Sequence, residues 1–196
     1  MSSCRSWPGI IFERLILAHQ NLPMRIAVLS DSHDHIPNLH HAVQRANQEQ
    51  ADLLLHCGDL ISPFMLRYLH AFRGPVHLIY GNNIGDQHLI ATRCGPVFAN
   101  LHHHGSHGAI IINGWRIAMN HYPDLARQLA LSGKYDLVCY GHDHLFHSES
   151  IGDCLLVNPG DLLGKDECPS FALVNLEQKL VHREYVGAQL ELSTKD

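Results

Sequence analysis

Five short polar motifs hold the residue types that bind metal ions or move protons. They are Asp31-Ser32-His33, Gly58-Asp59, Gly81-Asn82-Asn83, Asn120-His121 and Gly141-His142-Asp143-His144. Together they offer two carboxylates, an amide oxygen and several imidazoles. Oxygen and nitrogen donors without thiolates suit Mn, Fe, Zn or Ni better than Cu(I) or an iron–sulfur cluster. In an extended or turning backbone, alternate residues such as Asp31 and His33, or His142 and His144, project in the same general direction, so each pair can serve one site. Glycines at 58, 81 and 141 let the chain turn sharply and approach closely there. Two dications about 3.5–4 Å apart are the natural occupants, clamping a phosphoryl group and generating hydroxide near neutral pH.

The elements around these motifs explain how they meet. Ile26-Ala27-Val28-Leu29 reads as a strand ending at Ser30-Asp31, and residues 38–48 as a helix with Leu39, Ala42, Val43 and Ala46 on one face. Leu53-Leu54-Leu55 repeats the strand and ends at Gly58-Asp59. A helix follows to about His70, with Ser62 as N-cap and Pro63 in its first position. Val76 to Tyr80 runs into Gly81-Asn82, so the alternation predicts a parallel sheet. Asn113-Gly114 between two apolar runs predicts a type I′ hairpin. A helix over 124–131 and strands over 137–140, 155–157, 171–176 and 181–186 complete the chain. In open α/β sheets ligands bind beyond the carboxyl ends of the strands, so motifs distant in sequence can converge in that crevice.

Taken in order, D-x-H, G-D, G-N-x, a lone His after a hairpin and G-H-x-H resemble the calcineurin-like metallophosphoesterases, especially the small YfcE-type phosphodiesterases. The resemblance runs from Met24 to about Val186 and includes Asn158-Pro159-Gly160-Asp161, which is similar to the family's N-P-G-S loop. It implies an α/β sandwich of two central β-sheets flanked by helices. It also implies a first metal held by Asp31, His33 and His144, a second held by Asn82, His121 and His142, and Asp59 bridging them. A metal-bridging hydroxide would attack phosphorus. The cofactors so implied are two divalent ions, Mn²⁺ first, with Ni²⁺, Fe²⁺ or Zn²⁺ as alternatives. The substrate so implied is a small phosphate ester touched by Asn82 and Asn83. Two dications, two carboxylates and a hydroxide leave one net positive charge to attract it.

Two departures shape the expected chemistry. Many members carry G-N-H-D or G-N-H-E at the third motif, where the His can protonate the leaving oxygen. Here Asn83 stands at that place and cannot act as the acid. The resemblance then favours diesters or good leaving groups, with Asp86 or His88 as replacement acids if leaving-group dependence proves flat. After His121, Tyr122-Pro123 replaces the common His-Gly, and the larger Tyr is expected to narrow the entrance. The alternative from another class is a non-catalytic protein-interaction scaffold of the same fold. For 158–161 a tight turn and a substrate contact both stay open.

The totals set the frame. The chain has 196 residues, 45% hydrophobic and 17% charged, enough for one sizeable core. Residues 1–23 read as an extension, 24–187 as the catalytic domain and 188–196 as a tail. No apolar run reaches the roughly 20 residues a membrane helix needs. Net charge is −5 with no Lys/Arg stripe, which argues against an extended nucleic-acid surface. Six scattered cysteines without a C-x-x-C pair suggest a reducing cytoplasm. Homo-oligomerisation is left open. Histidine is unusually abundant at 18 residues, and His102-His103-His104 with His107 reads as a solvated loop rather than a further metal site.

Overall fold

The computed structural model describes residues 24–187. The expected extension (1–23) and tail (188–196) lie outside the described residues. In chain order the strands are β1 (Arg25–Leu29), β2 (Leu53–His56), β3 (Val76–Leu78), β4 (Leu101–His103), β5 (His107–Ile112), β6 (Trp115–Asn120), β7 (Leu137–Cys139), β8 (Phe146–Ile151), β9 (Cys154–Pro159), β10 (Ser170–Asn175) and β11 (Leu180–Tyr185). Helices α1 (Ile36–Gln48), α2 (Leu66–Leu69), α3 (Gln87–Arg93) and α4 (Pro123–Leu131) connect them.

Two sheets form, ordered β11-β10-β1-β2-β3-β4 and β5-β6-β7-β9-β8. As the alternation predicts, β1 to β3 run parallel; β4 joins them in the same direction, and β10 and β11 extend that sheet antiparallel. In the second sheet β6, β7 and β9 are parallel between antiparallel β5 and β8. Alternating side chains separate three apolar layers. Ile26, Val28, Leu53 and Leu55 of one sheet meet Ile117, Met119, Leu137 and Val157 of the other. On the outer face of the first sheet, Leu39 and Val43 of α1 and Leu66 and Leu69 of α2 cover Ala27, Leu29, Leu54 and Val76. On the far side Ala126 and Ala130 of α4 cover Ala118, Val138 and Leu156. Each fully buried Leu or Ile adds roughly 1.5–3 kcal/mol, so these layers fix the sandwich and hold its strand ends in place.

The hairpin forms at Asn113-Gly114, whose φ values of +51° and +85° are those a type I′ turn demands. The helix after Pro63 begins differently from expectation. Pro63–Met65 is a 3₁₀ turn, and Ser62 makes no capping bond; its amide donates to Asp34 Oδ1 at 2.9 Å and its hydroxyl to Asp34 Oδ2. Three elements were absent from the sequence reading. Helix α3 has one buried residue, Ile90, and so no apolar stripe. Strand β8 lies on a sheet edge with alternating partial exposure. Strand β4 turns the expected His-rich loop into the edge of the first sheet, paired with β3. Among the described residues no helix is long and apolar enough to cross a membrane, and Cys57, Cys94, Cys139, Cys154 and Cys168 are free thiols.

Candidate metal centre

The polar motifs converge beyond the ends of β1, β2, β3, β6 and β7, where the loops are tied together through the backbone. Asp31 N–H donates to Gly58 O at 3.1 Å, His33 N–H to Asp59 O at 3.0 Å, and Gly141 N–H to His121 O at 3.1 Å. Five of the expected ligands hold left-handed backbone: Asp31 (φ +52°), His33 (+41°), Asp59 (+56°), His142 (+78°) and His144 (+61°). Such non-glycine residues cost about 1–3 kcal/mol each and persist where surrounding structure over-determines them, typically at functional sites. Close approach supplies part of that constraint. A Cβ on Gly81 would run into the Asp59 carboxylate, and one on Gly141 into Ser30 Oγ and the Asp31 carboxylate.

Two carboxylate–imidazole groups result, Asp31 with His33 and His144, and Asp31 with Asp59 and His121. His144 Nε2 lies 3.5 Å from Asp31 Oδ1, and His33 Nε2 lies 3.8 Å from the same oxygen. Asp59 faces both ways, with Oδ2 3.5 Å from His33 Nε2 and Oδ1 3.5 Å from His121 Nε2. Asn82 Oδ1 accepts from His121 Nε2 at 2.9 Å and His142 Nδ1 at 2.8 Å. His142 thus joins the cluster through Asn82 and through its own amide, which donates to Asp31 Oδ2 at 3.0 Å. All seven expected metal ligands are brought together. Asn83, expected against substrate, is exposed and bonds to Asp59. Its backbone N–H donates to Asp59 Oδ1 at 2.8 Å and its side-chain amide to Asp59 Oδ2 at 2.6 Å, because the Gly81 turn sets it over that carboxylate.

The residues behind the cluster orient it. His121 Nδ1 donates to Cys57 O at 2.8 Å, which leaves Nε2 aimed at the carboxylates. His144 Nδ1 lies 3.0 Å from Asp161 Oδ2, with the same consequence for its Nε2. Asn158 braces the His142 turn, its amide donating to Gly141 O at 3.3 Å and to Asp143 Oδ1. Asn158 and Pro159 end β9 rather than form a tight turn, and Asn158 and Asp161 support the cluster, a task not assigned to them from sequence. His56 was also missed: it is fully buried, with Nε2 3.1 Å from Ser32 Oγ. The Cys57 side chain is a buried apolar group, as expected. Tyr122 is half exposed at the rim, edge-on to His142 at 5.0 Å between ring centroids and to His121 at 5.5 Å. Asp86 caps α3 by accepting from Leu89 N–H at 2.9 Å, which occupies one candidate acid.

Electrostatics follow from this packing. Burial acts to raise the Asp31 carboxyl, but His144, His33 and His121 outweigh it and hold Asp31 well below the usual carboxylate range. Asp59 is likewise lowered, burial being overcome by His121 and Asn83. Asp31 raises His144 against the effect of burial, and Asp59 and Asp31 together raise His121 against its own. His56, in contrast, is pushed down to about 4 by burial despite Asp31 and Asp59 nearby. Asp31 Oδ1 and His33 Nε2 are buried without a hydrogen-bond partner. Buried polar atoms normally find partners, and these two face each other across the space the other imidazoles enclose. A divalent cation satisfies both, so the donor set fits a metal ion.

Two stacked sheets with an oxygen- and nitrogen-rich cluster at their strand ends make a site that fits a metal ion. Residues 24–179 match the calcineurin-like phosphoesterase superfamily domain, and the chain belongs to that family. It is 28% identical over 177 residues to a phosphodiesterase of Methanocaldococcus jannaschii, spanning 83% of this chain and 99% of that protein. A solved archaeal phosphodiesterase superposes with a TM-score of 0.77 at 26% identity, covering 83% of this chain and all of the other. Vps29 from Entamoeba histolytica shares the fold, with a TM-score of 0.59 at 19% identity over 84% of this chain and all of that one.

Proposed function

We propose that this protein is a metal-dependent phosphodiesterase with a dinuclear centre, Mn²⁺ being the first candidate and Ni²⁺, Fe²⁺ and Zn²⁺ the alternatives. The observation that carries the reading is Asp59, whose two oxygens face different imidazoles at 3.5 Å, as a carboxylate shared between two ions requires. In this assignment Asp31, His33 and His144 hold one ion, Asn82, His121 and His142 hold the other, and Asp59 serves both. Two bound dications supply an activated water near neutral pH and neutralise charge on the phosphoryl oxygens.

The remaining residues position and select. Asn83 holds Asp59 in its two-sided pose. Asp161 and Cys57 O fix which nitrogen His144 and His121 present. Tyr122 narrows the approach beside His142. No acid stands at the Asn83 position, and Asp86 is engaged as a helix cap, so the leaving oxygen departs without a proton from either, and His88 is the remaining candidate acid. General acid catalysis contributes about 10²–10⁴-fold. Without an acid at the Asn83 position, diesters with good leaving groups are favoured.

The test uses purified, metal-stripped protein given Mn²⁺, Ni²⁺ or Zn²⁺, an aryl phosphodiester and the matching monoester, alongside His142→Ala. The expected result is metal-dependent diester turnover with a steep dependence on leaving-group pKa, lost in the variant. Two bound ions with neither ester hydrolysed would overturn the reading in favour of an interaction scaffold.

A further inference from the structure

A second group of histidines lies away from the strand ends. His77 of β3 and His102 of β4 are directly paired neighbours, and their rings stack at 4.8 Å between centroids and 26° between planes. His104, two residues on, stacks on the other side of the pairing at 5.0 Å and 15° from His77. His77 Nδ1 and His104 Nε2 are 2.7 Å apart. The flanking Val76, Leu78 and Leu101 point into the helix-covered layer. The three imidazoles therefore occupy the opposite face, at the seam where His104 lies against Gly108 of β5.

We propose that His77, His102 and His104 form a separate metal site that takes a borderline divalent transition ion, Zn²⁺, Ni²⁺ or Cu²⁺. His77 Nδ1 and His104 Nε2 share one proton across 2.7 Å, one ring donating and the other accepting. Imidazole–zinc bonds are about 2.0–2.1 Å long, so exchanging that proton for an ion asks the two nitrogens to part by less than about 1 Å. His102 is exposed, and its ring has to turn from the stacked pose to bring a third nitrogen to the pair. Burial and the neighbouring imidazoles push His77 down to about 4 and lower His104 as well, so both rings are neutral and ready to coordinate at neutral pH. No carboxylate contributes to either shift. An all-imidazole set disfavours Mn²⁺ and Mg²⁺ relative to later transition ions, the opposite of the carboxylate-rich strand ends. The inference uses none of the strand-end residues and does not depend on the phosphodiesterase reading.

The experiment compares metal stoichiometry of the full chain with Mn²⁺ and with Zn²⁺ by calorimetry and elemental analysis. It is repeated in an Asp31→Asn/Asp59→Asn background that disables the strand-end cluster. The expected result is one more Zn²⁺ than Mn²⁺ per chain, with the extra Zn²⁺ persisting in that background. His77→Gln and His104→Gln should each weaken it by at least about tenfold, with hydrolysis unchanged, while His40→Gln leaves it intact. Equal stoichiometries, or an extra Zn²⁺ that survives the His77→Gln/His104→Gln double variant, would mean a hydrogen-bonded imidazole stack without metal affinity and would overturn the proposal. If a substitution unfolds the chain, Cu²⁺ electron paramagnetic resonance on the unaltered, Mn²⁺-loaded protein decides. Coupling to two or more imidazole nitrogens supports the site, and its absence overturns it.

Discussion

Histidine gathers in two regions of this sandwich, and their surroundings set them apart. At the strand ends, imidazoles are interleaved with Asp31, Asp59 and Asp161, and Asp31, His33, Asp59, His142 and His144 hold left-handed backbone. On the β3–β4 edge, imidazoles stack on one another in ordinary paired strands. The same side chain is accordingly driven in opposite directions: His121 and His144 are raised by the carboxylates they face, whereas burial and mutual proximity lower His77, His103 and His104. Interleaved anions, rather than histidine number, give the strand-end cluster the mixed oxygen and nitrogen donors that the proposed two-metal centre needs.

The largest effect that would break this contrast is expected from Asp59→Asn. It removes the carboxylate whose two oxygens face His33 and His121, the group the proposed assignment gives to both ions, so diester turnover should fall by at least about 10³-fold. His77→Gln, assayed beside it, should hydrolyse at the unaltered rate. Comparable losses in the two variants would show that the clusters are not separate. Next comes Asp161→Ala, which strips the partner from His144 Nδ1 without touching a direct ligand. Mn²⁺ affinity is expected to weaken by about 10–100-fold, read by titration of the metal-free protein, with edge binding of Zn²⁺ unaffected. Unchanged Mn²⁺ affinity would reduce Asp161 to a packing residue. A smaller effect is expected from Tyr122→Ala at the rim: KM for bulky aryl diesters should change while kcat holds. A kcat loss instead would place Tyr122 among the groups that organise His142.

The strand-end cluster was legible because apolar runs stop abruptly there. Ile26 to Leu29, Leu53 to Leu55 and the run from Val76 each give way to a Ser-Asp, Gly-Asp or Gly-Asn pair, and a parallel sheet brings those pairs to one edge. The supporting residues left weaker marks. His56 looks like the polar end of an apolar run, and only the fold reveals that it is buried beneath Ser32. Asp161 looks like a turn residue, since the ring it holds lies 17 positions earlier. The edge cluster was hidden for a different reason. β4 contributes a single buried residue, Leu101, so nothing in Leu-His-His announces a strand, and His77 is brought beside it only by pairing across 25 residues. Ser62 and Asp34 show a competition that sequence leaves undecided: both are cap formers, and the serine bonds to the aspartate instead of capping its own helix.

Acid sensitivity gives the finest test of the contrast. His56, His77 and His103 are each pushed down to about 4 from 6.5 in the folded state. Between those values the unfolded chain binds protons that the native state refuses, so these groups lower stability as pH falls through that window. His121 and His144 are raised, so their contribution is fully present below 6.5 and is lost as pH rises through their folded values. Asp31 and Asp59 are lowered and begin to cost stability only as pH drops below about 4. In metal-free protein the edge therefore favours neutral pH, whereas at the strand ends His121 and His144 favour mild acid and His56 opposes them. His77→Leu should flatten the stability loss between pH 7.5 and 4.5 by about 1 kcal/mol, allowing for solvent screening at the half-exposed edge, as read from urea midpoints at the two pH values. An unchanged loss would mean that His77 accepts its proton in the native state. The imidazole stack would then open in mild acid, and the edge would differ from the strand ends in composition but not in how firmly the fold holds its rings.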